Sequence, residues 1–239
     1  MANTFNSISD SKRSLHVQVA REIARGILSG ELAQGSIIPG EMALCEQFGI
    51  SRTALREAVK LLTSKGLLES RPKIGTRVLK REYWNFLDSQ LIEWMDGLTD
   101  NDEFCAQFLV LRRAIEPEAC ALAAKYATVD QRIELSEVFQ KMTEVAAADE
   151  FDMGEWIKVD THFHSLIFNA TANDFYLPFG HILTTMFVNF ISHSSQEGRT
   201  CINEHRCIYE AIMAGNAEKA KSCSMEHLQP AKHRLDTIL

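Results

Sequence analysis

Along most of this chain apolar residues recur every three or four positions, the period of a helix with one buried face. Between Leu15 and Ser29 the residues Val17, Val19, Ala20, Ile23, Ala24, Ile27 and Leu28 make a broad apolar face, and Gly30 closes the segment. A shorter amphipathic segment runs from Glu41 to Phe48, and Gly49 follows at a position where a chain turns between two helices. Leu55, Val59 and Leu62 resume helical spacing until Lys65-Gly66 stops it. Leu67 to Ser70, a turn through Pro72-Lys73-Ile74-Gly75, and Thr76 to Leu79 predict a two-stranded hairpin. Two helices joined by a tight turn and followed by such a hairpin predict a winged helix-turn-helix.

Arg81 to Asp96 holds Tyr83, Trp84, Phe86, Leu87, Leu91, Ile92, Trp94 and Met95, too apolar for a flexible tether, and is expected to be a structured connector. From Asp100 onward the period is helical throughout, in segments at about 102–126, 129–148, 151–170, 173–195, 203–214 and 217–236. Thr128, Asn173 and Asn216 stand where N-caps are needed. The expected fold is mainly α. A winged helix-turn-helix with a small β-hairpin wing occupies residues 1–80, the connector 81–99, and an all-helical domain 100–239.

The third helix of the head is built to meet a duplex. Ser51 is placed to N-cap it, and Ile50 to staple onto Leu55. With Leu55, Val59 and Leu62 facing inward, Arg52, Arg56 and Lys60 stack at i, i+4 and i+8 on another face. A capped N-terminus presents free N–H groups and partial positive charge, so Ser51, Arg52, Thr53 and Arg56 suit phosphate and base-edge contact together. A solvated basic stripe is the alternative on spacing alone. The hairpin tip adds Arg71 and Lys73, and Gly75 permits close backbone approach to a phosphate or a groove.

These residues carry a resemblance. Leu15 to Leu79, with Gly-x-x-x-Pro-Gly-Glu before the second helix, Ser51-Arg52-Thr53-x-x-Arg56-Glu57-Ala58 and a glycine-containing wing, resembles the winged-helix domain of GntR-type bacterial transcription regulators. The resemblance implies that Arg52 and Arg56 contact double-stranded operator DNA in the major groove, and that Lys73 with Gly75 reaches the minor groove. One position departs: many relatives place Arg directly after the Glu that opens the first helix of the pair, and this chain has Met42. Trp84-Asn85-x-Leu87-Asp88 followed by Leu91 and Trp94 is similar to the connector of sugar-acid-responsive members.

Charge sharpens the division. The net charge is −7, yet residues 1–80 carry 12 Lys+Arg against 7 Asp+Glu, while 81–239 carry 13 against 25. A basic head can approach DNA that an acidic remainder would repel. At 239 residues and 46% hydrophobic the chain can hold two modest cores. No apolar run approaches the roughly 20 residues of a membrane helix, and Met1 to Leu15 lacks the apolar stretch of an export signal, so a cytoplasmic location without a membrane partner is expected. Six cysteines, at 45, 105, 120, 201, 207 and 223, show no C-x-x-C spacing. They are expected to be reduced, mostly buried thiols with neither a zinc ribbon nor a disulfide frame.

The helical half offers two constellations. Asp160 and His164 share a helix face at i, i+4, a metal-chelating spacing, while His162 points elsewhere. A hydrogen-bonded surface pair is the plainer alternative. With His205 early in one predicted helix and His227 on the next, three imidazoles and one carboxylate would suit a borderline divalent metal with exchangeable ligands. The second constellation centres on Arg112, one turn before Glu116 and beside an apolar stripe of Phe108, Leu111, Ile115, Ala119 and Leu122. A guanidinium at the edge of a core can bind a carboxylate through paired hydrogen bonds, and an ion pair with Glu116 is the alternative. His181, Asn189 and His193 fall at near-helical spacing toward the same pocket.

Asp160-x-x-Phe163-His164, then Glu204-His205-x-x-Ile208-x-x-Ala211-Ile212 with Gly215-Asn216, then His227, together with Leu111-Arg112-x-x-Ile115-Glu116-Pro117, resembles the ligand-binding (FCD) domain of the FadR subgroup of GntR regulators. The resemblance implies an antiparallel helical bundle in which Asp160, His164, His205 and His227 bind the metal, zinc first and nickel or manganese as alternatives. It also favours a carboxylate-binding role for Arg112; Asn189 and His193 join the expected effector site on their spacing alone, with a surface place for His193 as the alternative. The resulting expectation is a homodimeric regulator, not an enzyme, that represses a sugar-acid or related carboxylate operon and leaves its operator when a small organic acid binds. Paired heads about 34–36 Å apart would supply selectivity that one winged helix lacks. A metal sensor and a metal-dependent hydrolase are the rival readings.

Overall fold

The computed structural model describes residues 13–98, 101–194 and 202–229; the side chains of 13–14, 101–102, 104, 188–189 and 191–194 lie outside that description. It forms two compact units, Met1–Leu98 and Thr99–Leu239. No helix among the described residues is long and apolar enough to cross a membrane.

In the first unit the order is α1 (Arg13–Leu28), α2 (Glu41–Phe48), α3 (Arg52–Ser64), β1 (Leu68–Arg71), β2 (Gly75–Val78), a 3-10 turn (Arg81–Tyr83) and α4 (Ser89–Met95). Gly49 ends α2 in the left-handed region at φ 64°, a conformation that costs a residue without Cβ little. The strands pair antiparallel from Leu68 opposite Val78 to Arg71 opposite Gly75, and Ile37 bridges Arg77 on the outer edge. Ile23, Ile27, Leu44, Leu55, Leu62, Leu67 and Val78 make the core.

The connector joins that same core. Trp84, Leu91 and Trp94 are buried in it. Asp88 caps α4 by accepting from the Leu91 N–H and also binds the Lys65 ammonium at 2.6 Å. Lys65 stands 5.2 Å from the Trp94 ring centroid, and Arg25 donates to the Trp94 and Asp96 carbonyls. Gly66 is needed here for room as well as backbone, since a Cβ at φ +74° would fall 1.9 Å from the Tyr83 carbonyl oxygen.

The second unit is helical among its described residues: α5 (Asn101–Tyr126), α6 (Val129–Ala147), α7 (Met153–Asn169), α8 (Leu177–Ser194), α9 (Ile202–Met213) and α10 (Ala217–His227). Its helices start at side-chain caps. Thr128 and Gln131 form a reciprocal capping box on α6, Asp152 caps α7, and Asn216 caps α10. α7 packs between α6 and α8, and α10 packs on α5 and α9.

Several expectations change. Asn173 does not cap α8: its carboxamide accepts from the Phe175 N–H in a turn, and the helix begins at Leu177. α10 ends at His227, and residues 230–236 of the expected helix lie outside the described residues. The inward face of α5 runs through Cys105, Leu109, Arg112, Glu116, Cys120 and Ala123, so Leu111, Ile115 and Leu122 are only half-buried. An ion pair within α5 lets two charged residues take the central position. Cys207 and Cys223 are joined in a disulfide, Cα–Cα 5.7 Å, against the expectation of reduced thiols; among the described residues Cys45, Cys105 and Cys120 are not disulfide-bonded. Spacing motifs detect cysteines within one turn, whereas the turn at Ala214 to Asn216 folds α10 back along α9 and sets residues 16 apart side by side.

Candidate metal centre and nucleic-acid interface

The head presents its polar residues as expected. The Ser51 hydroxyl accepts from the Ala54 N–H at 3.2 Å, and Arg52, Thr53 and Arg56 are exposed along the first turns of α3. Lys73 is exposed at the hairpin turn with φ 65°, followed by Gly75 at φ 109°. Between α3 and the hairpin lies a groove of about 660 Å³ whose lining includes Glu41, Arg56, Lys60, Ser70, Ile74 and Thr76. Met42, the position that departs from the family pattern, is 72% exposed.

One contact in the head has no local sequence signal. The Glu41 carboxylate accepts from Arg56 Nε at 2.9 Å and stands 3.8 Å from Arg52 Nε. The hydrogen bond and charge of Glu41 raise the Arg56 pKa. The two residues are 15 apart, on different helices, so neither periodicity nor motif spacing brings them together.

In the helical unit three elements aim imidazoles at one point. α7 carries Asp160 and His164 one turn apart, α9 carries His205 in its first turn, and α10 carries His227 at its last residue. All four side chains are buried. The candidate ligand atoms of His164, His205 and His227 lie within 4.8 Å of one another. His164 Nε2 is 3.2 Å from His205 Nε2, which is 2.9 Å from Asp160 Oδ1. Two atoms each bound about 2.0–2.1 Å from a tetrahedral ion stand about 3.3–3.4 Å apart, so the spacing suits a shared divalent ion. Trp156, Phe163 and Phe187 pack edgewise or stacked on these imidazoles, so the surroundings are apolar. His162 is exposed on the other face, 3.6 Å from Glu134.

A second carboxylate stands behind the cluster. Glu116 Oε2 is 3.1 Å from His164 Nδ1, which favours the tautomer whose Nε2 faces the other histidines. Arg112 grips that carboxylate from its other side, Nε to Oε1 at 2.5 Å and Nη2 to Oε2 at 3.2 Å. Burial would push the Glu116 carboxyl up, but the Arg112 guanidinium and His164 outweigh it and hold the pKa down to about 2. Asp160 also lies below the usual range, its burial outweighed by His205. Burial, with the charge of Glu116, pushes the Cys120 thiol up to about 12.

Arg112 therefore sits inside the core and not at its edge. Its guanidinium carbon is 4.3 Å from the Phe187 ring centroid and 5.0 Å from that of Phe190. The role of Glu116 as a histidine orienter was visible only as an i, i+4 partner of Arg112. A charged pair interrupting an apolar stripe was the signal available. His181 is exposed and does not face this centre. The side chains of Asn189 and His193 lie outside the described residues.

Comparison with known proteins gives two family matches: residues 15–78 to the bacterial regulatory proteins of the gntR family, and residues 107–230 to the FCD domain. Among curated relatives, an uncharacterized HTH-type transcriptional regulator of Escherichia coli K12, YieP, is 37% identical over 93% of this chain and 96% of its own length. The Glc operon transcriptional activator of that strain is 26% identical over 97% of this chain and 92% of its own. Its galactonate operon transcriptional repressor is 22% identical over 90% and 94%. Of solved structures, a GntR protein of Streptococcus agalactiae superposes with a TM-score of 0.52 at 24% identity, over 92% of this chain and 100% of that one.

Proposed function

The chain belongs to the GntR family of bacterial regulators and carries an FCD domain, and on that premise we propose that it represses a sugar-acid or related carboxylate operon. In this reading a cytoplasmic homodimer holds double-stranded operator DNA through Ser51, Arg52, Thr53, Arg56, Lys73 and Gly75. A small hydroxy-carboxylate releases it.

The observation that carries the sensing half is the buried meeting of His164, His205 and His227, joined by Asp160 at His205. These residues would hold a divalent ion, zinc before nickel or manganese, because imidazole with one carboxylate suits borderline metals. The ion would supply a Lewis-acid anchor for a carboxylate. Glu116 fixes the ring of His164, and Arg112 fixes Glu116, so the donor set is held before any ligand arrives. Arg112 contributes to an effector site only if an incoming carboxylate shares or displaces Glu116; Asn189 and His193 complete the proposed set.

The relative named as a galactonate operon repressor supports a carboxylate-linked operon, and with the Glc operon activator both signs of regulation are represented. A second reading, in which the ion itself is the signal, draws on the same buried cluster. Fluorescence anisotropy of purified protein on a fragment of its own promoter separates them. Organic acids and metals are titrated apart and then together, with elemental analysis of the protein as isolated. Release by an acid only when metal is present supports the effector reading. Release by metal alone favours the sensor, and indifference to both would sink the sensing role of this centre.

A further inference from the structure

We propose that Cys207 and Cys223 form a peroxide-responsive dithiol whose oxidation clamps α9 to α10 and thereby tightens the histidine centre. This inference rests on the reading of that centre as a metal site.

The placement of the pair is the argument. α9 and α10 are already joined at one end by the turn through Ala214 to Asn216. Cys207 lies at the middle of α9 and Cys223 just past the middle of α10, so the bridge ties the two helices between that turn and the histidine centre. The centre is built within about one helical turn of the bridge: His205 stands two residues before Cys207, and His227 four residues after Cys223. With the bridge closed, the ligand atoms of His205 and His227 lie within the 4.8 Å cluster. With it open, the covalent tie between α9 and α10 beside the centre is lost. A site preassembled by a covalent tie loses less freedom on binding an ion than one whose ligand helices must first be brought together.

Exposure gives the two sulfurs different parts. Cys207 is half-buried and Cys223 is 3% exposed. Cys207 as thiolate attacks one oxygen of hydrogen peroxide, the O–O bond breaks, and the departing hydroxide takes a proton as water, leaving a sulfenic acid. Cys223 then attacks that sulfur; the S–S bond forms and the hydroxyl leaves as a second water. Two thiols give up two electrons, and one peroxide becomes two waters. A low-molecular-weight thiol reopens the bridge by exchange at the Cys207 sulfur, the less buried residue of the two.

The test uses the full-length chain in both states. Reduced protein is treated with hydrogen peroxide, alkylated and digested, and the linked peptides of Cys207 and Cys223 are sought by mass spectrometry. After removal of peroxide, zinc affinity is measured by competition against a chromophoric chelator. The bridge should form, reverse with dithiothreitol, and tighten zinc binding by about fivefold or more. Cys207→Ser should match reduced wild type and ignore peroxide, which separates loss of the bridge from zinc capture by free thiols. Absence of the linked peptides, or equal zinc affinity in both states, overturns the proposal alone. Zinc bound by neither state overturns the metal reading and the tuning with it, and linked peptides would then report a purely structural bridge.

Discussion

Arg112 and Glu116 face each other one turn apart on α5, each 1% exposed, with both carboxylate oxygens held by the guanidinium at 2.5 and 3.2 Å. A pair so placed has lost its water, and each charge depends on the other. Arg112→Ala and Glu116→Gln should therefore each cost about 3–5 kcal/mol in folding stability, with the remaining charge stranded among Phe108, Phe187 and Phe190. The double change Arg112→Met with Glu116→Leu should restore most of that loss. Urea denaturation of the four proteins measures it, and a double variant no more stable than either single variant would contradict a coupled pair.

The same carboxylate sets an acid limit. Because the Glu116 pKa is about 2 in the folded protein, it stays charged where an unfolded chain takes up a proton near pH 4.5. Its stabilisation, roughly 3 kcal/mol by linkage, is complete above pH 4.5 and fades as pH falls toward 2. Asp160 shifts in the same direction. Metal-free wild type should lose stability more steeply through this window than Glu116→Gln, and parallel curves would refute the assignment.

Cys120 gives the alkaline counterpart. Its thiol is buried and its pKa is about 12, so iodoacetamide at pH 8 should label half-buried Cys45 and leave Cys120 unmodified until the chain unfolds. Peptide mapping with and without urea reads the difference. Comparable labelling of both cysteines in the native protein would mean that Cys120 is reachable.

His205→Ala tests the centre directly. The variant should lose bound metal and the response to organic acid while keeping operator affinity, because its site and the arginines of α3 belong to separate compact units. In cells it should behave as a repressor that cannot be induced. A well-folded variant that still leaves DNA on adding the effector would remove His205 from the sensing set.

On the head, Arg56→Ala should weaken operator binding roughly 5- to 150-fold if the contact is bidentate to a base. Lys73→Ala should weaken binding to all sequences alike, as a lost phosphate contact does. Anisotropy on the operator and on a scrambled duplex distinguishes the two patterns; the reverse pattern would exchange their roles.

The parts of this molecule that were legible in its sequence are those fixed by neighbours along the chain. Ser51, Thr128 and Asn216 cap the helices that their local sequence announced, and the hairpin closed around Pro72 to Gly75 as its turn residues required. His164 and His162 parted to opposite faces as a helical period demands. What stayed hidden depends on helices meeting. Glu41 reaches Arg56 across 15 residues, Cys207 meets Cys223 across 16, and Glu116 takes His164 from another helix. The α5 stripe was misread because a charge normally marks the wet side of a helix. Here two opposite charges cancel locally and go inside together.

The carboxylate of Glu41 beside Arg56 and Arg52 has a consequence for ionic strength. Much of the free energy of a protein binding DNA comes from mobile cations leaving the phosphates, so affinity falls steeply as salt is added. An arginine that must first leave an internal carboxylate trades one fixed anion for another. Removing Glu41's charge thus strengthens attraction for any duplex, matched or not. Retaining it makes a non-operator duplex a weaker competitor than the basic count of the head would suggest, because only a site returning a well-directed contact makes up for leaving Glu41. A carboxylate of the same charge sign as the DNA backbone would in this way help the protein ignore the rest of the chromosome.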